Sequence, residues 1–209
     1  MCLGIPPDGA EERIRLTILG IDPGSVVTGI GLVTVDSRKV RLLHAECLRA
    51  PVSESFEKRL LYLFNALGKV LDTHRVDEVA IETPFYGMNV QTLMKMCHAR
   101  GSLLTAVAKH GLPVYEYAPR EIKKAVVGNG NASKKQVAYM VQQTFDNAHI
   151  VDDLTLDATD AIAAAMCRAH RAGTRLVGGG DVSGLSMADR LIAAGAPEDA
   201  ARRAGGGTR

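Results

Sequence analysis

The sequence lacks the features that would place a protein in or across a membrane. No uncharged apolar run reaches the roughly 18 residues of a membrane span, and no basic segment followed by an apolar one begins the chain. None of its four cysteines is at CxxC spacing from another, which disfavours a zinc site. Isolated cysteines are typical of a reducing compartment, so we expect a cytoplasmic protein without a membrane partner.

The chain also lacks an excess of charge of one sign. Its 25 basic and 23 acidic residues leave a net charge of +2, and 46% of its 209 residues are hydrophobic, which is typical of a folded protein. The charges are nevertheless unevenly distributed. Eight lysines and arginines but two acids lie from Lys95 to Lys135, and five aspartates without a lysine or arginine lie from Asp146 to Asp160. A basic segment followed by an acidic one suggests a polyanionic partner beside a cation site.

The hydrophobic pattern predicts one α/β domain. Three apolar segments joined by tight turns suggest antiparallel strands at 16–21, 28–35 and 40–48, and helices then alternate with short strands at 77–81 and 114–117. We therefore predict a five-stranded mixed sheet flanked by helices. The predicted helices span 56–71, 89–109, 119–126, 133–145 and 156–171. We divide the chain into a flexible leader (1–15), a folded domain (16–172) and a glycine-rich, mostly disordered tail (173–209).

Two carboxylates follow buried strands. Asp22 ends the first strand before Pro-Gly-Ser, and Glu82 ends the fourth before Thr-Pro. Asp22 alone could simply cap a turn. If the two strands are neighbours, however, both carboxylates reach the same edge of the sheet, where they would repel each other without a cation between them.

A second pair of carboxylates begins the alanine-rich last helix. Asp157 and Asp160 lie three residues apart and so share one helix face, although acids at a helix N-terminus can also serve the helix dipole alone. We regard Asp152 and Asp153 as loop residues. Four carboxylates would favour Mg²⁺ or Mn²⁺, and they could hold two ions for phosphoryl transfer.

Basic and aromatic residues provide the other half of a nucleic-acid site. Glycines of the GNGN loop would let backbone N–H groups approach phosphates, and an aromatic pair follows Glu82 in a chain that is only 4% aromatic. Such a pair could wedge between bases or belong to the core. Solvated helix faces are the alternative for the lysines, and we prefer this alternative for Lys95, Lys109, Lys124 and Lys135, although the last two stay among the candidates. The candidate DNA-binding residues are Phe85, Tyr86, Arg120, Lys123, Lys124, Lys134 and Lys135.

Four segments, in this order, resemble the RuvC crossover junction endodeoxyribonucleases. They are ILGIDPGSVVTGIG, AIETPF, YAPREIKKAVVGNGNASKKQV and DATDAIAAA, within residues 16–171. The resemblance implies a ribonuclease H-like fold, a homodimer, and resolution of Holliday junctions by two symmetric nicks, in DNA recombination and repair. It also implies that the RuvA–RuvB branch-migration complex is a partner. The resemblance also implies a role for each matched site residue. The catalytic metal-binding acids would be Asp22, Glu82, Asp157 and Asp160. Lys123 and Lys134 would be active-site lysines, and Phe85 would probe the junction centre.

We expect metal-dependent hydrolysis that leaves a 5′-phosphate and a 3′-hydroxyl. Asp22 and the C-terminal aspartates would hold an ion for water activation, and Asp22 and Glu82 would share a second at the leaving 3′-oxygen. Lys123 and Lys134 would neutralise charge on the scissile phosphate. The Met-rich segment 89–109 is either the dimer face or part of the core.

Two other functions compete with this one. Asp-x-Gly-Ser after a first strand also resembles the phosphate loop of sugar-kinase and actin-type ATPases, but these need a duplicated fold that 209 residues do not provide. A catalytically silent DNA-binding module is disfavoured by the full set of four acids.

Overall fold

The computed structural model describes residues 15–36, 39–85, 89–145 and 154–176. They form five strands and five helices, in the order βββαβαβααα. The strands are β1 (Arg15–Asp22), β2 (Val27–Asp36), β3 (Lys39–Arg49), β4 (Glu78–Glu82) and β5 (Val114–Tyr117). The helices are α1 (Phe56–Thr73), α2 (Val90–Lys109), α3 (Pro119–Val127), α4 (Lys134–Thr144) and α5 (Leu156–Leu176).

The five strands make one mixed sheet in the order β3-β2-β1-β4-β5. The first three are antiparallel neighbours, whereas β4 is parallel to β1 and β5 is parallel to β4. The parallel connections run through α1 and α2, because a parallel pair needs a crossover. This arrangement confirms the predicted five-stranded mixed sheet with flanking helices, and each described element overlaps its predicted span.

Helices cover both faces of the sheet, which explains why β1 is a continuous apolar run. Ile18 faces a core formed with α3, α4 and α5, whereas its neighbour Leu19 faces a core formed with α1 and α2. Both side chains are fully buried. A strand covered on both faces has no polar side, as expected for the centre of such a sheet.

The alanine-rich α5 lies unusually close to β1 and β2. A Cβ atom added to Gly29 would lie 1.9 Å from the carbonyl oxygen of Asp157, and one added to Gly20 would lie 1.9 Å from that of Ala161. Glycines on the strands and small residues on the helix therefore allow the backbones to approach. This contact fixes the first turn of α5 against the end of the sheet where β1 finishes.

Some predictions concern residues that lie mainly outside the described ranges. The described strand β1 starts at Arg15 and α5 runs to Leu176, so most of the predicted leader and tail lie outside the described residues. Tyr86, Asp152 and Asp153 lie outside them as well. Within the described ranges, no helix has the length and apolar character needed to cross a bilayer.

Candidate active site

Asp22 and Glu82 lie side by side at one edge of the sheet. They are the last residues of β1 and β4, which are parallel neighbours with Ile21 opposite Ile81. The carboxyl ends of parallel strands meet at one edge, so adjacent strands bring these two acids together. The structure thus places the two strand-end carboxylates as the sequence predicted.

The turn after Asp22 is held by Thr28 at the start of β2. The Thr28 hydroxyl donates to the carbonyl oxygen of Gly24 at 2.9 Å and accepts from its N–H at 3.3 Å. Thr28 is fully buried, so the Asp-Pro-Gly turn is anchored from inside the protein. Asp22 is therefore presented on a rigid strand end.

The other two acids lie at the start of α5. Thr155 precedes the helix and caps it, because its hydroxyl accepts from the N–H of Ala158 at 3.3 Å. The Cys47 thiol on β3 lies 2.9 Å from the same hydroxyl and ties the cap to the sheet. The cap and the close approach at Gly29 place Asp157 and Asp160 in the first two turns, beside the ends of β1 and β4.

The carboxylates are close enough to change each other's protonation. Burial, followed by the charges of Glu82 and Asp160, raises the pKa of Asp22 to about 8. Burial, followed by the charge of Asp160, raises the pKa of Glu82 to about 7. Asp157 also contributes to the rise at Asp22. The four acids therefore form one electrostatic cluster in which negative charge is poorly compensated.

Lys134 is the cation that reaches this cluster. Its ammonium lies 2.5 Å from a carboxylate oxygen of Asp160, which is 16% exposed. Burial lowers the pKa of Lys134, but the hydrogen bond and charge of Asp160 outweigh burial and raise it overall. Lys134 is the first residue of α4, where Ser133 and Gln136 form a reciprocal capping box. The cap aims the lysine at the acids.

The remaining basic candidates lie on α3 and around the loop that follows it. Half-buried Lys123 lowers the pKa of Glu82 through its charge, so it faces the cluster. Arg120 instead donates to the side chain of Asn131 at 2.9 Å, which binds the start of α3 to the GNGN loop. Lys124 and Lys135 are exposed. Of the five basic candidates, the structure therefore brings Lys123 and Lys134 to the acids.

Phe85 lies just outside the cluster. It follows Glu82 by three residues, and 59% of its surface is exposed. A phenyl ring exposed to this degree is not a core residue, so the core alternative for Phe85 is wrong. The ring is free to contact another molecule beside the acids.

The donor set of the cluster suits a hard divalent cation. All four donors are carboxylates, and such oxygen ligands select Mg²⁺ or Mn²⁺. Across the described ranges, no three His, Cys, Asp or Glu side chains already stand in an arrangement that would hold an ion. Asp160 is paired with Lys134 in this structure, so an ion held by Asp160 would compete with that ammonium.

One contact at this site has no signal in the sequence. Arg100 on α2 donates from Nε to the backbone carbonyl oxygen of Glu82 at 3.3 Å. A lone arginine within an amphipathic helix resembles any solvated basic residue, yet only 14% of this side chain is exposed. Three-dimensional contact alone identifies it.

A groove of about 550 Å³ lies elsewhere, between β3 and α1. Its lining includes His44 and His74, whose rings stack with centroids 5.0 Å apart, and none of the four acids. The four acids lie away from this groove, at the ends of β1 and β4 and at the start of α5.

Comparison with known proteins assigns the chain to a family. Residues 18–168 match the family model "Crossover junction endodeoxyribonuclease RuvC". The RuvC protein of Halorhodospira halophila is 46% identical over 153 residues, covering 73% of this chain and 89% of that protein. The RuvC protein of Nitratidesulfovibrio vulgaris is 43% identical over 164 residues, covering 78% and 96%.

Solved structures agree with the sequence relatives. The T. thermophilus RuvC structure in complex with a Holliday junction substrate has a TM-score of 0.70 and 31% identity, covering 77% of this chain and 97% of that one. The yeast mitochondrial resolvase Ydc2, at 13% identity and a TM-score of 0.54, shares the fold. These likenesses confirm the ribonuclease H-like fold that the sequence motifs implied. The chain therefore belongs to the RuvC family of crossover junction endodeoxyribonucleases.

Proposed function

We propose that this protein resolves Holliday junctions by cutting two opposite strands symmetrically. The observation that carries the proposal is the cluster of four carboxylates built from β1, β4 and α5 of a family member. The T. thermophilus relative was solved with a Holliday junction substrate, which supports a four-way junction as the substrate here. DNA recombination and repair are the processes that produce such junctions.

Asp22, Glu82, Asp157 and Asp160 would hold Mg²⁺ or Mn²⁺, with two ions in each site. Bound in this way, the ions would lower the pKa of a water nucleophile and stabilise the leaving 3′-oxygen. The carboxylates must be ionised to bind them, and the raised pKa values of Asp22 and Glu82 reflect how unfavourable their ionised forms are without a cation. The donor set and the repulsion among its ionised carboxylates both favour this assignment.

The lysines and Phe85 would act on the DNA. In the DNA-free protein, the Lys134 ammonium is paired with the Asp160 carboxylate. An ammonium released from that carboxylate would be free to pair with the scissile phosphate. Lys123 approaches the cluster from α3 and would neutralise the same phosphate. Phe85, exposed beside Glu82, would stack on or wedge between bases, together with Tyr86 of the same segment. Arg120, Lys124 and Lys135 would contact backbone phosphates farther from the cut.

A homodimer would set the spacing between the two cuts. The outward face of α2 carries Val90, Met94, Cys97 and Gly101, at alternating spacings of four and three residues. Val90 is 69% and Met94 is 56% exposed, so the segment 89–109 has an apolar face outside the core as well as one inside it. Apolar residues at such spacing form the seam between paired helices. Two copies joined along α2 would hold two acid clusters at a fixed distance.

Two further parts of the proposal come from the family. We propose the RuvA–RuvB branch-migration complex as a partner, because the resemblance implies it. We also propose a cytoplasmic location, in keeping with the isolated cysteines.

A strand-cleavage assay tests the proposal. The purified protein is incubated with a mobile four-way junction or a matched linear duplex, in Mg²⁺, Mn²⁺ or EDTA, and the strands are separated on a denaturing gel. We expect paired symmetric nicks in the junction alone, with a 5′-phosphate and a 3′-hydroxyl, and none in EDTA. Junction binding without cleavage in either metal would contradict the proposal.

The variant Asp22→Asn tests the site within the same assay. We expect it to bind the junction but not to cut it, because it removes a charged ligand shared by both ions. Glu54→Gln is the matched control, since Glu54 is an exposed acid that pairs with Lys58 away from the cluster. Normal cleavage by Asp22→Asn would show that the assigned site is wrong.

A further inference from the structure

We propose that Arg100 is a positioning residue that sets the Glu82 carboxylate for metal binding. The inference rests on the proposed function, because Glu82 is assigned there as a metal ligand. It concerns a residue of α2 that contacts the main chain of Glu82 and the carboxylate of Glu116. The observation behind it is the contact of Arg100 with the main chain of Glu82.

The peptide unit after Glu82 is held from two sides. Its carbonyl oxygen accepts from Nε of Arg100 at 3.3 Å, and its N–H, which belongs to Thr83, donates to the carbonyl oxygen of Tyr117 at 2.9 Å. One partner comes from α2 and the other from β5. Glu82 is the last residue of β4 and is in register with Tyr117 of β5, so the strand pairing ends at this peptide unit. These two hydrogen bonds therefore fix the backbone from which the Glu82 side chain projects.

Arg100 is itself held by a second contact. Its Nη2 lies 2.6 Å from Oε2 of Glu116, an ion-pair distance, although its N–H groups are not aligned for a hydrogen bond there. Glu116 lies on β5, opposite Ile81 of β4. The guanidinium thus spans from β5 to the end of β4, and its planar shape suits it to reach two acceptors at once.

The burial of Arg100 distinguishes it from a solvated surface residue. A mostly buried guanidinium loses hydration that its partners must replace. Lys95, five residues earlier on the same helix, is exposed. Residues that orient the ligands of a metal commonly affect metal affinity or activity roughly tenfold to a hundredfold.

The arrangement also connects the site to α2. The face of α2 opposite the core carries the proposed dimer seam, whereas Arg100 lies at the boundary between that face and the sheet edge. A shift of α2 would therefore be transmitted through one side chain to Glu82. Because the connection consists of one side chain, a substitution of Arg100 can test it.

The test compares Arg100→Gln and Arg100→Lys with the wild-type protein. Mn²⁺ affinity is measured without DNA by the paramagnetic resonance signal of the free ion, and the cleavage rate is measured in a single turnover. We expect Arg100→Gln to weaken Mn²⁺ binding and slow cleavage, each by roughly tenfold to a hundredfold. Junction affinity in EDTA and dimer mass should change little, because Arg100 contacts Glu82 and Glu116 and lies outside the proposed α2 seam.

Two control variants distinguish the effect of the position of Arg100 from the effect of its positive charge. Lys95→Gln removes a positive charge from the same helix and should leave both readouts unchanged. Glu116→Gln removes the ion pair but leaves Arg100 able to donate to Glu82, so its effect should be smaller than that of Arg100→Gln. If Glu116→Gln and Arg100→Gln had equal effects, the positioning role assigned to the contact between Arg100 and Glu82 would be overturned.

Unchanged Mn²⁺ affinity and cleavage rate in Arg100→Gln would overturn the inference. If that variant fails to fold, Arg100→Lys decides, because lysine presents one nitrogen where the guanidinium presents Nε to Glu82 and Nη2 to Glu116. We then expect a severalfold loss in both readouts, and wild-type values would overturn the inference. A wild-type protein that neither binds Mn²⁺ nor cuts junctions would overturn the proposed function as well, which distinguishes the two failures.

Discussion

At the scale of single residues, the acid cluster makes stability without metal depend on pH. The pKa of Asp22 is raised to about 8 from its ordinary 3.8, so the folded protein retains a proton that the unfolded chain has released. Between about pH 4 and pH 8 the folded state therefore binds more protons, and its stability falls as the pH rises. Glu82, with its pKa raised to about 7, adds to the same trend.

We therefore predict that Asp22→Asn is more stable than the wild-type protein near pH 8 in EDTA. The amide cannot ionise, so the variant avoids the burial of a charge beside Glu82 and Asp160. A gain of roughly 1–2 kcal/mol would raise Tm by several degrees for a chain of this size. Thermal unfolding near pH 5 and pH 8 checks this, and the difference between the two proteins should shrink at the lower pH. Parallel curves across this range would contradict the prediction.

Adding Mg²⁺ should reverse the order of stability of the wild-type protein and Asp22→Asn. In the proposed site, Mg²⁺ would bind the ionised cluster and stabilise the folded wild-type protein by mass action, whereas Asp22→Asn would lack a ligand. Adding Mg²⁺ near pH 8 should therefore raise the Tm of the wild-type protein more than that of the variant. Glu54→Gln, changed far from the cluster, should follow the wild-type protein in both buffers.

At the scale of helices and strands, the contact between β2 and α5 sets the position of two acids. A methyl group at Gly29 would overlap the carbonyl oxygen of Asp157, which is main chain and cannot rotate away. Gly29→Ala should therefore displace the first turn of α5, which carries Asp157. We predict a loss of stability of about 1–3 kcal/mol, as for other overpacked sites, together with nearly complete loss of cleavage.

Gly68 provides the matched control for this substitution. It lies within α1, and a Cβ atom added there meets nothing within 4 Å. Gly68→Ala should raise stability by about 0.5–1 kcal/mol, because alanine favours a helix interior, and should leave cleavage unchanged. Thermal unfolding and the junction assay measure both effects. Equal behaviour of the two variants would show that α5 tolerates the methyl group.

The elements were largely predictable from the sequence, but their packing was not. Apolar runs indicated the strands, and Pro119, Ser133 and Gly128 marked helix ends by their backbone and capping chemistry. The sequence also predicted that strand-end carboxylates would meet if β1 and β4 were neighbours. It could not show that Gly29 admits α5 or that Arg100 reaches Glu82, because both depend on distances between segments far apart in the chain.

At the scale of the whole molecule, one cluster of acids can cut one strand, so symmetric cleavage requires two copies. The proposed seam on α2 would supply the pairing, and Gly101 lies within it. Gly101 is exposed in the single chain, and a Cβ atom added there meets nothing within 4 Å. A substitution at this position can therefore disturb the seam while the fold of each copy remains intact.

We predict that Gly101→Lys is a folded monomer that no longer makes paired nicks. The ammonium would be buried among apolar side chains at the seam, which is strongly unfavourable without a partner, whereas lysine itself favours a helix over glycine. Gln91→Lys adds the same charge to α2 but away from the Val90–Met94–Cys97–Gly101 stripe, so it should remain dimeric and active. Light scattering gives the mass, thermal unfolding gives the stability, and the junction gel gives the pairing of nicks. A dimeric Gly101→Lys protein with paired nicks would place the dimer contact elsewhere, because an intact seam could not accommodate that charge among its apolar side chains.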